Sequence, residues 1–462
     1  MLPLLTRFGI TSDNLGYFVL DNAPNNDTTL VELAKILKFD PKHKRLRCMG
    51  HILNLVAESY LFGQDAASFE EDYKKAGAPA RRQLWRQRRE LGKLHNLVAH
   101  VMASGKRDKL FLDLQTNYNE GKAAGRSLKL ILDGGIRWNA SYMMIKRALL
   151  LRESLDVYAA KLRLSEHAID VETYDEDYLS DTEWKALELI ANQLEPLFRA
   201  TKSLEGNTKL NEGAGKPSHG ALWELLPVFE YLLAHFEKLE RQAKEGQFND
   251  HPGIQQSITL AWNKTQEYYK KTDASIAWMA ALVLHPRWKW SFFEEHWTGG
   301  EARFVTAGRT KLKKLWEDQY KKQVVIRVEE HTPEPTSEER DWMADILDEM
   351  APTLTRAQQH SSRRDHFQQY LDEPVTMKAP LAYWRDKEEE WPQLAAMAFD
   401  FLAIPAMSSE CERVFSSCAK LTTPESSKLS GEILWHQCCL SNWQRRGAIE
   451  IMRWKNAVLL DI

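Results

Sequence analysis

Apolar and polar positions alternate differently along this chain: a short opening has sheet character, and the long remainder has helical spacing. Tyr17 to Leu20 is an apolar run closed by Asp21, the pattern of a buried strand in a parallel or mixed sheet. Asn22 to Asn26, with Pro24 inside it, has turn chemistry. Asp27 reads as an N-cap, and Leu30, Leu33, Ala34 and Leu37 follow at helical spacing. Arg45 to Cys48 reads as a second strand and His51 to about Phe62 as a second helix, which gives a β-α-β-α start.

Beyond it the pattern is helical. Residues 81–103 and 141–160 each read as one long helix, the second with Met144, Ala148, Leu151 and Leu155 on one stripe. A short strand is predicted at Leu128–Leu132, and the acidic stretch 165–182 reads as a solvated connection. Helices resume at 182–204 and 222–242, around a Gly-rich loop at 209–220. A helical block covers 253–322, with Tyr268, Tyr269, Trp278, Trp288, Trp290 and Trp297 as predicted core. Residues 325–362 have little periodicity and read as a partly disordered linker with a short helix near Trp342–Leu347. From Phe367 the helical pattern returns. The expected fold is mostly α with a small α/β part, in segments 1–65, 66–324, 325–365 (flexible linker) and 366–462.

Composition narrows the class. With 462 residues, 43% of them apolar and 27% charged, the chain can bury a large core. No apolar run reaches the ~18 residues of a membrane span, so no membrane partner is expected, and the N-terminus lacks the features of a signal peptide. Five cysteines are few and odd in number, which points to a reducing compartment. The net charge of −3 forecasts no nucleic-acid binding by itself, so such binding needs a local basic patch. One exists: Arg82, Arg86, Arg89 and Lys93 recur at spacings of four, three and four, one helix face that could neutralise phosphates or simply be solvated.

Other candidates have two readings each. Asp21 at a strand end is where a carboxylate could hold divalent cations, or it closes a turn. Glu412, three residues after Ser409, could be a catalytic carboxylate or half of a capping box, and Arg413 beside it could pair with phosphate or with a neighbouring acid. Cys48 and His51 form a C-x-x-H pair, too few ligands for structural zinc. Arg137 and Trp138 could contact a phosphate and stack on an unpaired base, or Trp138 could be a buried anchor.

The order of these pieces resembles fungal-type hAT-superfamily DNA transposases over nearly the whole chain. The matching strings are GYFVLDNAPNNDT, RLRCMGHILNLVAESYLFG, LGKLHNLV, IRWNASYMMIKRALLLR, YYKKTDASIAWMAALVLHPRWKW and IPAMSSECERVFSS. The resemblance implies an RNase H-like core split by a large helical insertion domain. It puts Asp21 on the second catalytic aspartate, Glu412 on the catalytic glutamate, and Cys48, His51 and Arg413 beside the site. Arg137 and Trp138 fall on a motif whose tryptophan stabilises a flipped base. Residues from about Pro380 to Trp443 fall on the dimerisation region, with a stripe through Trp384, Met397, Phe401 and Leu402. Double-stranded DNA, a second copy of the chain and a nuclear location are implied in the same way.

The family's zinc finger and the strands carrying its first catalytic aspartate have no counterpart in this sequence, so the RNase H-like core is expected to be incomplete. Mg2+ or Mn2+ is then expected only if the carboxylate set is completed. The leading expectation is a transposase-derived protein that dimerises and binds DNA without strand transfer. The alternatives are a fragment of an active cut-and-paste transposase and a domesticated protein-interaction module.

Overall fold

In a computed structural model the described residues are 2–63, 66–118, 127–133, 138–206, 220–322, 365–409, 411–412, 414 and 430–445. They are helical apart from one sheet of two short parallel strands, as the hydrophobic pattern predicts. Strand β1 (Phe18–Leu20) pairs with β2 (Arg45–Arg47), Val19 opposite Leu46. Between them run α2 (Pro24–Leu37) and the short α3 (Pro41–Lys44), with α1 (Leu2–Arg7) ahead of the sheet. Helix α2 starts at Pro24, where a proline costs no hydrogen bond. Asp27 is therefore inside the first turn and not the N-cap.

The chain divides into two compact units, 1–274 with 405–462, and 275–404. In the first, α4 (Met49–Phe62) follows β2, and then α5 (Ala66–Lys75), α6 (Ala78–Arg86), α7 (Arg89–Met102) and α8 (Gly105–Tyr118). Next come α9 (Trp138–Leu150), α10 (Arg152–Leu162), α11 (Ala168–Asp177), α12 (Asp181–Leu204), α13 (Leu225–Lys244) and α14 (Pro252–Tyr269). Helix α4 packs on α14 and α12, and its Ile52, Leu53, Val56 and Ala57 are buried at i, i+3 and i+4 spacing.

Three sequence expectations are corrected here. The helix expected over 81–103 is two, α6 and α7, folded against each other. Gly92 lies so close to Trp85 that an added Cβ would stand 1.6 Å from its carbonyl oxygen, and Arg89 takes a φ of 54° at the break. The strand expected at Leu128–Leu132 does not form. The buried amide of Gln115 takes both backbone groups of Leu128 instead, at 2.8 and 2.9 Å. The acidic connection expected at 165–182 is largely the helix α11, packed on α7 with Asp170 and Asp177 buried.

The second unit holds α15 (Ala277–Val283), α16 (Ser291–His296), α17 (Ala302–Leu315) with a π turn at Trp316–Tyr320, α18 (His366–Asp372), α19 (Pro380–Lys387) and α20 (Pro392–Leu402). Trp278, Trp290, Trp297, Trp316 and Trp384 are buried in it. Lys289 is buried too. Its ammonium donates to the carbonyls of Tyr370 and Glu373 at the end of α18, where cations complement the helix dipole. The expected linker lies outside the described residues except for Asp365, which caps α18.

Candidate functional site

The segments that lead to Asp21 and to Glu412 meet at the C-terminal edge of the sheet. β1 ends at Leu20, whose carbonyl accepts the Cys48 amide at 2.8 Å, one step beyond the ladder. The Met49 amide then donates to Ala406 at 3.0 Å. Ser408 donates from its amide and its hydroxyl to the buried Cys48 sulfur, each at 3.3 Å. Met407 lies over Gly50, where an added Cβ would stand 3.1 Å from the sulfur, so a glycine is what lets this segment lie down on α4. One turn after Ser408 comes Glu412, exposed, with its carboxylate 3.5 Å from the Ser408 hydroxyl. The described partner of Glu412 is thus Ser408, where the capping-box reading names Ser409.

Asp21 is half-buried and engaged locally. Its Oδ1 accepts from the Ala23 amide at 3.0 Å and from Asn26 Nδ2 at 2.6 Å, the Asx geometry of a turn residue. Its carbonyl accepts from Arg45 Nη2 at 2.6 Å. Arg45 is buried, and its Nε stands 2.5 Å from Asp27 off the hydrogen-bond axis, so that contact is an ion pair. Burial pushes the Arg45 guanidinium below its ordinary value, against the pull of Asp27. Arg47 reaches Asn22 at 2.7 Å. Sequence reasoning missed this arginine–aspartate frame; the signal was Arg45 and Arg47 on one face of β2. Cys48 is a packed residue, His51 is half-buried in the first turn of α4, and Arg413 lies outside the described residues. Among the described residues no group of three or more His, Cys, Asp or Glu is placed to hold a metal.

The basic stripe is mostly spent inside the fold. Arg86 donates to Asp177 from Nε and Nη2, each at 2.9 Å, and reaches Glu172 at 3.2 Å. The Asp177 hydrogen bond holds the Arg86 guanidinium above its ordinary value despite burial. Arg82 donates to Thr173 at 2.8 Å and to Asp177 at 3.4 Å. Lys93 pairs with Glu183 at 2.7 Å. These three are counter-ions of α11 and α12, a correction to the reading of one free cationic face, and among the described residues Arg89 alone of the four stays exposed and without an ion pair. The acids were in the sequence, but nothing local marked them as partners of residues about 90 positions earlier.

Trp138 is a buried anchor at the start of α9, and Arg137 lies outside the described residues. Nearby, His95 Nδ1 meets Asp133 at 2.8 Å, Ser141 donates to the same carboxylate at 3.2 Å, and Trp85 stacks on His95 at 3.9 Å. The carboxylate stands between serine and histidine, so the imidazole does not face the hydroxyl as it would in a nucleophilic triad, and the trio is a buried cross-link. Trp384, Met397, Phe401 and Leu402 are all buried within the second unit, and Trp384 donates to the Leu284 carbonyl at 2.7 Å. Their stripe holds α19 and α20 to α15.

Two family models match: the hAT family C-terminal dimerisation region over residues 366–444, and the ZBED1 RNase-like helical domain over 46–193. The chain is similar to hAT transposase-related proteins through these two regions. It is 23% identical over 419 residues to a putative transcriptional regulator, tpeD, of Talaromyces stipitatus, covering 86% of this chain and 42% of that protein. It is 23% identical over 462 residues to the putative AC transposase of Zea mays, covering 93% of this chain and 49% of that one. The zinc finger BED domain-containing protein DAYSLEEPER of Arabidopsis thaliana is 24% identical over 323 residues, with 68% and 41% covered. The chain therefore spans less than half the length of these relatives.

Proposed function

We propose that this hAT-related protein is transposase-derived, self-associates, binds double-stranded DNA in the nucleus, and does not carry out strand transfer as this chain alone. One observation carries the ancestry: residues 405–408, which lead to Glu412, close onto Cys48 and Met49 at the sheet edge that Asp21 follows, although nearly the whole chain separates the two segments. That arrangement supports an RNase H-like core with a helical insertion. The relatives bear the names transposase and transcriptional regulator.

The donor set limits the chemistry. Two-metal phosphoryl transfer needs carboxylates that together bridge cations about 3.5–4 Å apart. This chain brings two, and one oxygen of Asp21 already accepts two hydrogen bonds. By themselves they do not fit a two-metal site, and Mg2+ or Mn2+ has a role only where a further carboxylate completes the set. A second reading, favoured by the coverage of less than half of each relative, makes the same residues part of a longer active transposase.

Purified chain with Mg2+ or Mn2+ and a transposon-end duplex is expected to leave the DNA intact. Cleavage that disappears in Asp21→Asn would overturn the inactive reading. Light scattering on the same protein is expected to give at least a dimer mass, and a monomer at tens of micromolar would count against self-association. Fluorescence anisotropy should show duplex binding that weakens steeply with salt.

A further inference from the structure

Three of the four stripe cations are neutralised within the fold; Arg89 is not. Among the described residues it has neither an ion pair nor a hydrogen-bond partner, and it is exposed. Its guanidinium nevertheless has a fixed neighbour, the first turn of α14. A Cβ on Gly253 would stand 1.6 Å from Arg89 Nη1, so the approach depends on glycine. A cation against the amides that open a helix is unfavourable unless an anion joins them.

The space beside Arg89 is a cavity of about 380 Å³. Arg88, Arg89, Gln256 and Ser257 supply polar walls, and Ile254 and Leu260 supply apolar ones. Arg88 is anchored there, with Nη1 donating to the Phe62 carbonyl at 2.7 Å. Glu90 also lines the wall, which leaves one net positive charge. A volume of this size is in the range of small-ligand sites, roughly 300–1,000 Å³, and exceeds what a bare phosphate fills.

We propose that this cavity binds a phosphate-bearing ligand of about mononucleotide size. The phosphate lies between Arg89 and the first turn of α14, and the less polar remainder lies along Ile254 and Leu260. The ligand can be a free nucleotide or one residue of a single strand, and the test separates these sources.

AMP, inorganic pyrophosphate and a short single-stranded oligonucleotide are titrated into the full chain at low salt, with calorimetric detection. Saturable binding of AMP is expected, weakened about tenfold or more in Arg89→Gln and unchanged in Lys311→Gln, an exposed lysine outside the cavity. Gly253→Ala, which displaces Arg89 but keeps every charge, is expected to reproduce the loss. If the oligonucleotide binds with the same Arg89 dependence and AMP does not, the source is a strand. Absence of saturable binding by all three probes, or binding that Arg89→Gln leaves unchanged, overturns the proposal.

Discussion

Asp177 shows what single residues do in this fold. Its carboxylate is fully buried and takes hydrogen bonds from Arg86, Arg82 and Asn96. Removing the best donor leaves a buried charge under-compensated, which costs about 3–5 kcal/mol. Arg86→Ala is therefore expected to lower the urea unfolding free energy by roughly that amount, and Arg82→Ala by less, since Arg82 is more exposed and its contact longer. Equal losses would contradict this ranking. His285 makes a pH prediction in the second unit. It is buried, and burial, aided by Arg287, pushes its imidazole down from the ordinary 6.5 to about 4. The unfolded chain then takes up a proton that the native one refuses. Stability from this group is complete above pH 6.5 and declines as pH falls to about 4, by up to about 3 kcal/mol. Urea midpoints measured from pH 7 to 4 should diverge between the wild type and His285→Gln, and parallel curves would reject the assignment. No local pattern hinted at it, because an imidazole's burial depends on helices that meet only in the fold.

Elements were legible where periodicity and turn chemistry agreed. The strand before Asp21, the helix behind it and the apolar stripe of α4 follow directly from spacing, because a buried face must repeat at 2 or 3.6 residues. Breaks were not legible. The α6–α7 fold-back rests on Gly92 meeting the Trp85 carbonyl, a contact that helical periodicity does not encode. Gly92→Ala is expected to cost about 3 kcal/mol, because a backbone carbonyl cannot move aside as a side chain can. Gly50→Val is expected to cost about 1–3 kcal/mol through the Met407 sulfur, and to loosen 405–408 from α4. Hydrogen exchange at the Met49 amide reads that loosening directly, and unchanged protection in Gly50→Val would refute it. Charge patterning misled for a related reason: a basic run and an acidic run look solvated when read separately, and they become one another's solvent when α11 docks on α7.

At the scale of the molecule, the ordered motifs carried more than any motif alone. Asp21 in its turn and Glu412 beside Ser408 each match a bland local reading, yet the chain brings their segments to one sheet edge. The fold also moves the DNA-binding candidates away from Arg82, Arg86 and Lys93 and toward the exposed Arg89, Lys106 and Lys109. The charge reversals Lys106→Glu and Lys109→Glu are expected to weaken duplex binding several-fold without changing the unfolding midpoint. Binding indifferent to both would send the search for an interface elsewhere.

The hydrogen bonds from Ser408 to Cys48 join residues 360 positions apart. During synthesis at about 5–20 residues per second, Cys48 waits roughly 20–70 seconds for that partner to be made. Through that interval the sheet edge and the first turn of α4 have no lid, and the thiol that will be buried is open to oxidants and to the thiols of other nascent chains. A chaperone or a second copy of the chain would find this edge before the protein's own C-terminus could.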